Sequence, residues 1–164
     1  MIVGVLGDTH GRVEMMAAGM RILREAGAEY FLHTGDVGSV EVLDHLAGVK
    51  GGFVFGNNDW DRGAMARYAQ SIGVECFGNY GEVEVGGKRL AVMHGDDARL
   101  RAKVLAEQRI DWLFVGHSHL ACEEKVGTIR VINPGALHRA ARKTVATVDL
   151  GEGKVRWLGV RDEQ

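Results

Sequence analysis

Five short stretches of the chain carry side chains that can bind a metal ion, and each follows an apolar segment. They are Asp8-Thr9-His10, Gly35-Asp36, Gly56-Asn57-Asn58-Asp59, His94-Gly95 and Gly116-His117-Ser118-His119. Each stretch alone is a weak signal, but five in order, each at the end of a predicted strand, indicate a metal centre. Carboxylate and amide oxygens mixed with imidazole suit Mn, Fe, Co, Ni or Zn better than calcium.

The spacing of these residues favours two ions over one. Asp8 and His10, two positions apart, can both point at one ion from a turn, and His117 and His119 form a similar pair. Asp36 is the expected bridge, because the two oxygens of one carboxylate can each bind an ion while a hydroxide spans the ions on the other side. Two ions about 3.5–4 Å apart lower the pKa of that water and stabilise phosphoryl and leaving oxygens. This arrangement favours hydrolysis of a phosphate ester by in-line attack.

The elements that position these residues alternate between strand and helix in the first half of the chain. The predicted elements are strands at 1–7, 29–33 and 51–55, helices at 13–26 and 39–48, and a third helix marked by Met65 to Ile72. Ser39 is the expected N-cap of the second helix. Such alternation predicts parallel strands with right-handed crossovers, whose loops meet at the carboxyl edge of the sheet.

The second half of the chain is richer in strands. Its pattern predicts a hairpin around Gly86-Gly87, a helix at 98–108, a buried strand ending before Gly116 and short strands from Cys122 onward. No linker or repeat divides the sequence. We therefore expect residues 1–164 to form one α/β domain, with two packed sheets and helices outside.

Composition excludes several classes of protein. The 164 residues are 46% hydrophobic and 26% charged, which suits one domain with a substantial core. Twenty basic and twenty-two acidic residues give a net charge of −2, which argues against a polymeric nucleic acid as partner. No segment approaches the roughly 20 apolar residues of a membrane span, and no signal peptide is evident, so we expect a cytoplasmic location. Cys76 and Cys122 lack metal-site spacing and are expected to be buried free thiols.

The motifs DTH, GD, GNND, HG and GHSH resemble the five blocks of the calcineurin-like metallophosphoesterases. The resemblance runs from Asp8 to His119, and Asn133-Pro134-Gly135 resembles the family's NPGS segment, with Ala136 in place of its serine. The short chain is similar to the small YfcE-like phosphodiesterases. This resemblance implies a four-layer αββα sandwich of two mixed β-sheets flanked by helices. It also implies hydrolysis of a small phosphodiester or nucleotide-like substrate, and it leaves homo-oligomerisation open.

The resemblance also implies which residues hold the ions. Asp8, His10 and His119 would bind one ion, Asp36 would be shared, and the remaining ligands would be Asn57, His94 and His117. The cofactors would be two divalent transition-metal ions, with Mn first and Ni, Co, Fe or Zn as alternatives.

The residues expected to serve catalysis directly are Asp36, Asn57, Asn58, Asp59 and His94. Many members of the family carry histidine at the position of Asn58, where it protonates the leaving group. An amide cannot do so, although the YfcE-like branch commonly has cysteine there. We therefore expect a preference for leaving groups that depart as stable anions. Asp59 is expected to orient its neighbours, and Asp61 to cap the third helix.

Several other residues have a less specific interpretation. His33 lies inside a strand and is expected in the core or behind the ligands, and His45 at the surface. His138 is expected to contact either substrate or solvent. Candidate phosphate contacts are Arg12, Arg62 and Arg139.

Two other functions fit the same fold. One is a catalytically weak scaffold that binds a protein partner, as the retromer subunit of this fold does. Such scaffolds usually lack one or more ligands, and this chain has all seven. The other is a nuclease, which the small size and the lack of a basic groove disfavour.

Overall fold

The structure is a computed structural model that describes residues 1–162. Its elements in chain order are β1 Ile2–Leu6, α1 Val13–Glu25, β2 Tyr30–His33, α2 Val40–Leu43, β3 Gly51–Phe53, α3 Arg62–Ser71, β4 Glu75–Cys76, β5 Tyr80–Val85, β6 Lys88–Met93, α4 Ala98–Glu107, β7 Trp112–Phe114, β8 Cys122–Val126, β9 Ile129–Asn133, β10 Thr144–Asp149 and β11 Lys154–Gly159.

The strands form two mixed sheets. The first has the order β11-β10-β1-β2-β3-β4, in which β1 to β4 are parallel, β10 is antiparallel to β1, and β11 is antiparallel to β10. The second has the order β5-β6-β7-β9-β8, with β6, β7 and β9 parallel. The loops that follow β1, β2, β3, β6 and β7 carry the five metal-binding stretches.

Three apolar clusters hold four layers together. Helices α1 to α3 cover the outer face of the first sheet, where Met16 and Met65 pack with Leu6 and Phe53. Alternate residues of β1 point the other way, as the pleat of a strand requires. Val5 thus lies between the sheets.

Helix α4 covers the outer face of the second sheet through Val104 and Leu105, which pack against Leu113. The prediction of a four-layer αββα sandwich is confirmed.

The second predicted helix is shorter than expected. In place of one helix over 39–48, α2 has four residues and continues as a 3₁₀ turn, Asp44–Leu46. Gly48, with φ +77°, then turns the chain toward β3. Ser39 has extended backbone before α2, but its side chain accepts no capping hydrogen bond. Asp61 does cap α3, since its carboxylate accepts from the amide of Ala64 at 3.2 Å.

The prediction of buried cysteines was wrong for Cys122 and holds only in part for Cys76. Cys76 is half-buried, whereas Cys122 is exposed because β8 lies at the edge of the second sheet. Among residues 1–162, no helix is long and apolar enough to cross a bilayer. That the whole chain is one domain stays a prediction, and its last residues, Glu163 and Gln164, lie outside the described range.

Candidate metal centre

Two groups of ligand atoms converge where the two sheets meet. Asp8, Asp36 and His94 form the buried group, and Asp8, His10 and His119 form the open group. Within each group the ligand atoms lie within 4.8 Å of one another. Asp8 belongs to both groups, so its carboxylate connects them.

The contacts within these groups leave polar atoms without hydrogen-bond partners. The Oδ2 atom of Asp36 lies 3.4 Å from Nε2 of His10 and 3.3 Å from Nε2 of His94, while Nε2 of His119 lies 3.2 Å from Oδ1 of Asp8. Of these atoms, Oδ1 of Asp8 and Nε2 of both His10 and His94 are buried and make no hydrogen bond. Buried polar atoms without partners are costly, and bound cations would satisfy these three. The donor set therefore fits divalent metal ions.

The other two predicted ligands lie at the exposed side of His94. Nδ1 of His117 is 3.2 Å from Oδ1 of Asn57, and the rings of His117 and His94 are 5.2 Å apart. The structure thus brings all seven predicted ligands to one place. It differs from the pattern that the resemblance implies in one respect, because Asp8 also lies within reach of Asp36 and His94 and not only of His10 and His119.

The backbone at the ligands is strained. Seven non-glycine residues of the described chain have left-handed backbone, and five of them are predicted ligands. These five are Asp8, His10, Asp36, His117 and His119, with φ between 46° and 69°. Such residues cost of order 1–3 kcal/mol each and persist only where the surrounding structure imposes them. The fold therefore holds these side chains in orientations that their own backbone disfavours.

The protonation states of the two central carboxylates differ. Burial raises the pKa of the Asp8 carboxyl to about 6, against the opposing effect of His94 and His119. Burial alone would also raise the pKa of Asp36, but contacts with His94 and hydrogen bonds from Asn58 outweigh it and bring that pKa well below its usual range. Asp36 is therefore the permanently ionised carboxylate of the site.

The pKa values of two histidines of the site, His10 and His94, also shift in opposite directions. Burial lowers the pKa of His10, which keeps its imidazole neutral and able to bind a metal. Burial would lower the pKa of His94 as well, but the Asp36 carboxylate outweighs it and raises that pKa. A cation between His94 and Asp36 would replace the proton that this pair otherwise attracts.

Comparison with known proteins identifies the family. The model of the calcineurin-like phosphoesterase superfamily domain matches residues 1–153. The chain belongs to this superfamily. It is accordingly a phosphoesterase, a hydrolase of a metal-dependent family.

Two relatives are similar over most of their length. A probable metallophosphoesterase of Mycoplasma pneumoniae is 30% identical over 165 residues, which cover 92% of this chain and 91% of the relative. The phosphodiesterase MJ0936 of Methanocaldococcus jannaschii is 25% identical over 138 residues, covering 82% and 83%.

Solved structures share the fold. An archaeal phosphodiesterase matches with a TM-score of 0.88 at 22% identity, covering 98% of this chain and 100% of that one. Vps29 of Entamoeba histolytica, crystallised with Zn²⁺, matches with a TM-score of 0.66 at 18% identity, covering 99% and 100%.

In this phosphoesterase, His33 lies behind the ligands, as the sequence predicts. Its Nδ1 accepts the amide N–H of Gly35 at 3.1 Å, so the ring proton is on Nε2, which donates to the Thr9 hydroxyl at 3.0 Å. Thr9 in turn donates to the carbonyl of Val37 at 2.9 Å. Burial lowers the pKa of His33 to about 3, so the ring stays neutral. This chain of bonds fixes the loops after β1 and β2 relative to each other.

Asp59 orients the loop that carries Asn57. Its carboxylate accepts the amides of Val37 at 3.2 Å, Gly38 at 2.9 Å and Gly56 at 2.8 Å. Gly56 must be glycine, because a Cβ there would lie 2.1 Å from Oδ1 of Asp36. Asp59 thus joins two ligand loops and lies outside both groups of ligand atoms.

Asn58 has a role that the sequence did not reveal. Its backbone N–H and its side-chain amide donate to the two oxygens of Asp36, each at 2.9 Å. Thr34 was also missed, although its carbonyl lies 2.9 Å from Nδ1 of His94 and fixes that ring. Neither role has a sequence signal, since both depend on how loops from different strands meet.

The remaining arginines and histidines singled out from the sequence differ in their surroundings. Arg12 pairs with Asp162 at 3.6 Å, and Arg139 is exposed. The ring of His138 lies 5.1 Å from that of His10, beside the open group. His45 lies in the 3₁₀ turn and is half-buried, so its predicted surface position holds only in part.

Proposed function

We propose that the chain is a phosphodiesterase that hydrolyses a small phosphodiester with two divalent transition-metal ions. The observation that carries this proposal is the pair of ligand groups that share Asp8 and leave three buried ligand atoms without partners. Two bound ions would supply an activated water as the nucleophile and would stabilise phosphoryl charge. Mn as the physiological ion and a cytoplasmic location stay predictions.

Each residue would have a separate part in holding the ions. Asp8 and Asp36 supply the negative charge, and the histidines of both groups supply neutral donors. Asn57 and His117, at the exposed side, would complete the coordination near His94. Asn58 would keep both oxygens of Asp36 directed at the site through its two hydrogen bonds.

The same hydrogen bonds favour a particular class of ester. The amide of Asn58 is occupied at Asp36 and carries no acidic proton, so it cannot protonate a leaving alkoxide. A leaving group that departs as a stable anion needs no such proton. We therefore propose that aryl phosphodiesters are hydrolysed faster than alkyl phosphomonoesters, and that Asn58→His raises monoesterase activity.

Metal content and turnover of one variant test this proposal. Protein loaded with Mn²⁺ should hold about two ions per chain, and Asp36→Asn should lower both the metal content and the hydrolysis of an aryl phosphodiester. Asp44→Asn, which neutralises an exposed carboxylate on the 3₁₀ turn, is the matched control and should keep both. Absence of bound metal in folded protein under loading with Mn, Ni, Co, Zn or Mg would contradict the proposal.

A scaffold that binds a protein partner is the second candidate. It is favoured by two exposed apolar side chains beside the ligand loops, Trp60 at 85% exposure and Leu120 at 67%. Similarity to Vps29 concerns the fold alone. Turnover that is lost in His117→Ala, with the circular dichroism spectrum unchanged, supports the enzyme. A purified chain with no phosphoesterase activity under any metal supports the scaffold.

A further inference from the structure

A cavity of about 110 Å³ borders His94. Its walls come from Arg62 and Asn79 on one side and from Asp96 and Asp97, in the loop after β6, on the other. We propose that this cavity binds an ester arm that carries neighbouring hydroxyl groups, such as a sugar or a polyol. This inference rests on the proposed phosphodiesterase function, and it names the part of the substrate that the chain selects.

Arg62 presents a fixed pair of donors to this cavity. Its guanidinium donates to the carbonyls of Asp59 at 3.1 Å and Gly56 at 2.9 Å and to the side-chain oxygen of Asn79 at 2.5 Å, and it lies 5.2 Å from the Phe55 ring centroid. A guanidinium has five N–H groups, so two remain unused. All three partners are uncharged oxygens. Among the described residues, no carboxylate lies within 4.0 Å of the Arg62 guanidinium, the limit for an ion pair. The two unused N–H groups are therefore available to an acceptor on a bound ligand, in place of water.

The opposite wall supplies acceptors. Asp96 and Asp97 are exposed carboxylates, and one oxygen of Asp97 accepts the amide of Leu100 at 3.0 Å as the cap of α4. A hydroxyl group both donates and accepts, so neighbouring hydroxyls can satisfy Arg62 and these carboxylates together. A second phosphate would meet two carboxylates, an amine would meet Arg62, and an alkyl arm would leave the polar groups unpaired. Phe55 and Leu100 add apolar surface for the C–H face of such an arm.

The size of the cavity suits a small polar group. About 10–15 Å³ of cavity volume is enough to hold one water molecule, so a volume of about 110 Å³ has room for several polar atoms. The neighbouring hydroxyls of ribose or of glycerol are groups of this kind.

Matched substrates with one leaving group test the inference. Uridine 5′-(4-nitrophenyl phosphate) is compared with its 2′,3′-dideoxy analogue, and glycerol 4-nitrophenyl phosphate with propyl 4-nitrophenyl phosphate. The hydroxylated member of at least one pair should have a kcat/KM about tenfold higher, which is the worth of about one net hydrogen bond to a charged group. Which pair shows the preference distinguishes a sugar from a polyol. A ratio near one in both pairs overturns the proposal.

Variants separate the cavity from the rest of the site. Leu100→Trp fills the cavity and Asp96→Ala removes an acceptor, so both should bring the ratio toward one. Lys103→Trp, exposed on the same helix, is the control and should keep the ratio. A ratio that survives Leu100→Trp overturns the proposal.

A binding readout distinguishes failure of this inference from failure of the phosphodiesterase assignment. Calorimetry on the Mn²⁺-loaded protein compares glycerol phosphate with propyl phosphate and uridine 5′-phosphate with its 2′,3′-dideoxy analogue, and the hydroxylated member of at least one pair should bind more tightly. If no diester is hydrolysed but such a difference is present, the assigned reaction is wrong and the cavity stands. If diesters are hydrolysed and the two members of each pair bind equally, the cavity assignment is wrong.

Discussion

The buried and open groups of the metal centre differ mainly in their access to water. The side chains of the buried group are at most 2% exposed, whereas His10 and His119 of the open group are 20% and 23% exposed. Little water would compete with the buried ligands for a bound ion, whereas an ion in the open group would exchange with ions in solution more easily. The comparison indicates that the buried group is built into the core of the fold, while the open group is accessible to solvent.

The largest effect is expected where the two groups overlap. Asp8→Ala removes a ligand from both, so the chain should lose most of its bound metal and at least about a thousandfold in kcat/KM, since metal ions supply most of the acceleration. Elemental analysis and hydrolysis of an aryl phosphodiester measure the two losses. Retention of full metal content would show that the two groups do not share Asp8 as a ligand.

A pair of single substitutions contrasts the groups directly. His94→Ala should lower kcat/KM by about a hundredfold to a thousandfold, and excess Mn²⁺ should not restore it because the lost ligand is buried. His119→Ala should cost about tenfold to a hundredfold, and raising the Mn²⁺ concentration should recover part of it. Titration of activity against Mn²⁺ for both variants distinguishes them. Equal recovery in both would remove the distinction between the groups.

The smallest effect concerns the stability of the metal-free protein. Burial raises the pKa of Asp8 to about 6 from 3.8, so the folded state loses stability as the pH rises from about 4 to about 6 and this carboxyl must ionise. Asp8→Asn removes that loss. The free energy of unfolding of the metal-free variant, relative to that of the metal-free wild type, should therefore rise by on the order of 1–3 kcal/mol between pH 4 and pH 7.

Urea unfolding of chelator-treated proteins at the two pH values measures this gain. The metal-loaded proteins are the control, and there the order should reverse, because only the wild type binds its ions fully. A relative stability of the variant that does not change with pH would show that burial of Asp8 is not the cause.

Local sequence signals predicted most elements but not their pairing. The apolar run before Asp8 and the helical spacing after it place β1 and α1 correctly to within about a residue or two at each end. They do not show that β10, more than a hundred residues later, pairs antiparallel with β1. The two residues of β4 are too few to form a recognisable pattern. Similarly, the 3₁₀ turn after α2 has the same apolar spacing as a continued helix.

The candidate site was predictable in residue type and less so in geometry. Strand ends and family motifs indicated every ligand candidate, because such loops gather at one edge of each sheet. The hydrogen bonds from Asn58 to Asp36, and the position of Asp8 between two groups, depend on loops from separate strands. No local pattern encodes those contacts, so only the structure could reveal them.

The left-handed backbone at the ligands also bears on how such a chain can change over generations. At Asp8, His10, Asp36, His117 and His119, glycine would adopt the same backbone without a steric penalty. While hydrolysis is under selection, that easier backbone is unavailable, because glycine offers no ligand. If a descendant serves only as a binding platform, replacement of these residues by glycine or asparagine relaxes the backbone and is favoured by stability. The residues found at these five positions in descendants of this fold would therefore record which of them still hydrolyse esters.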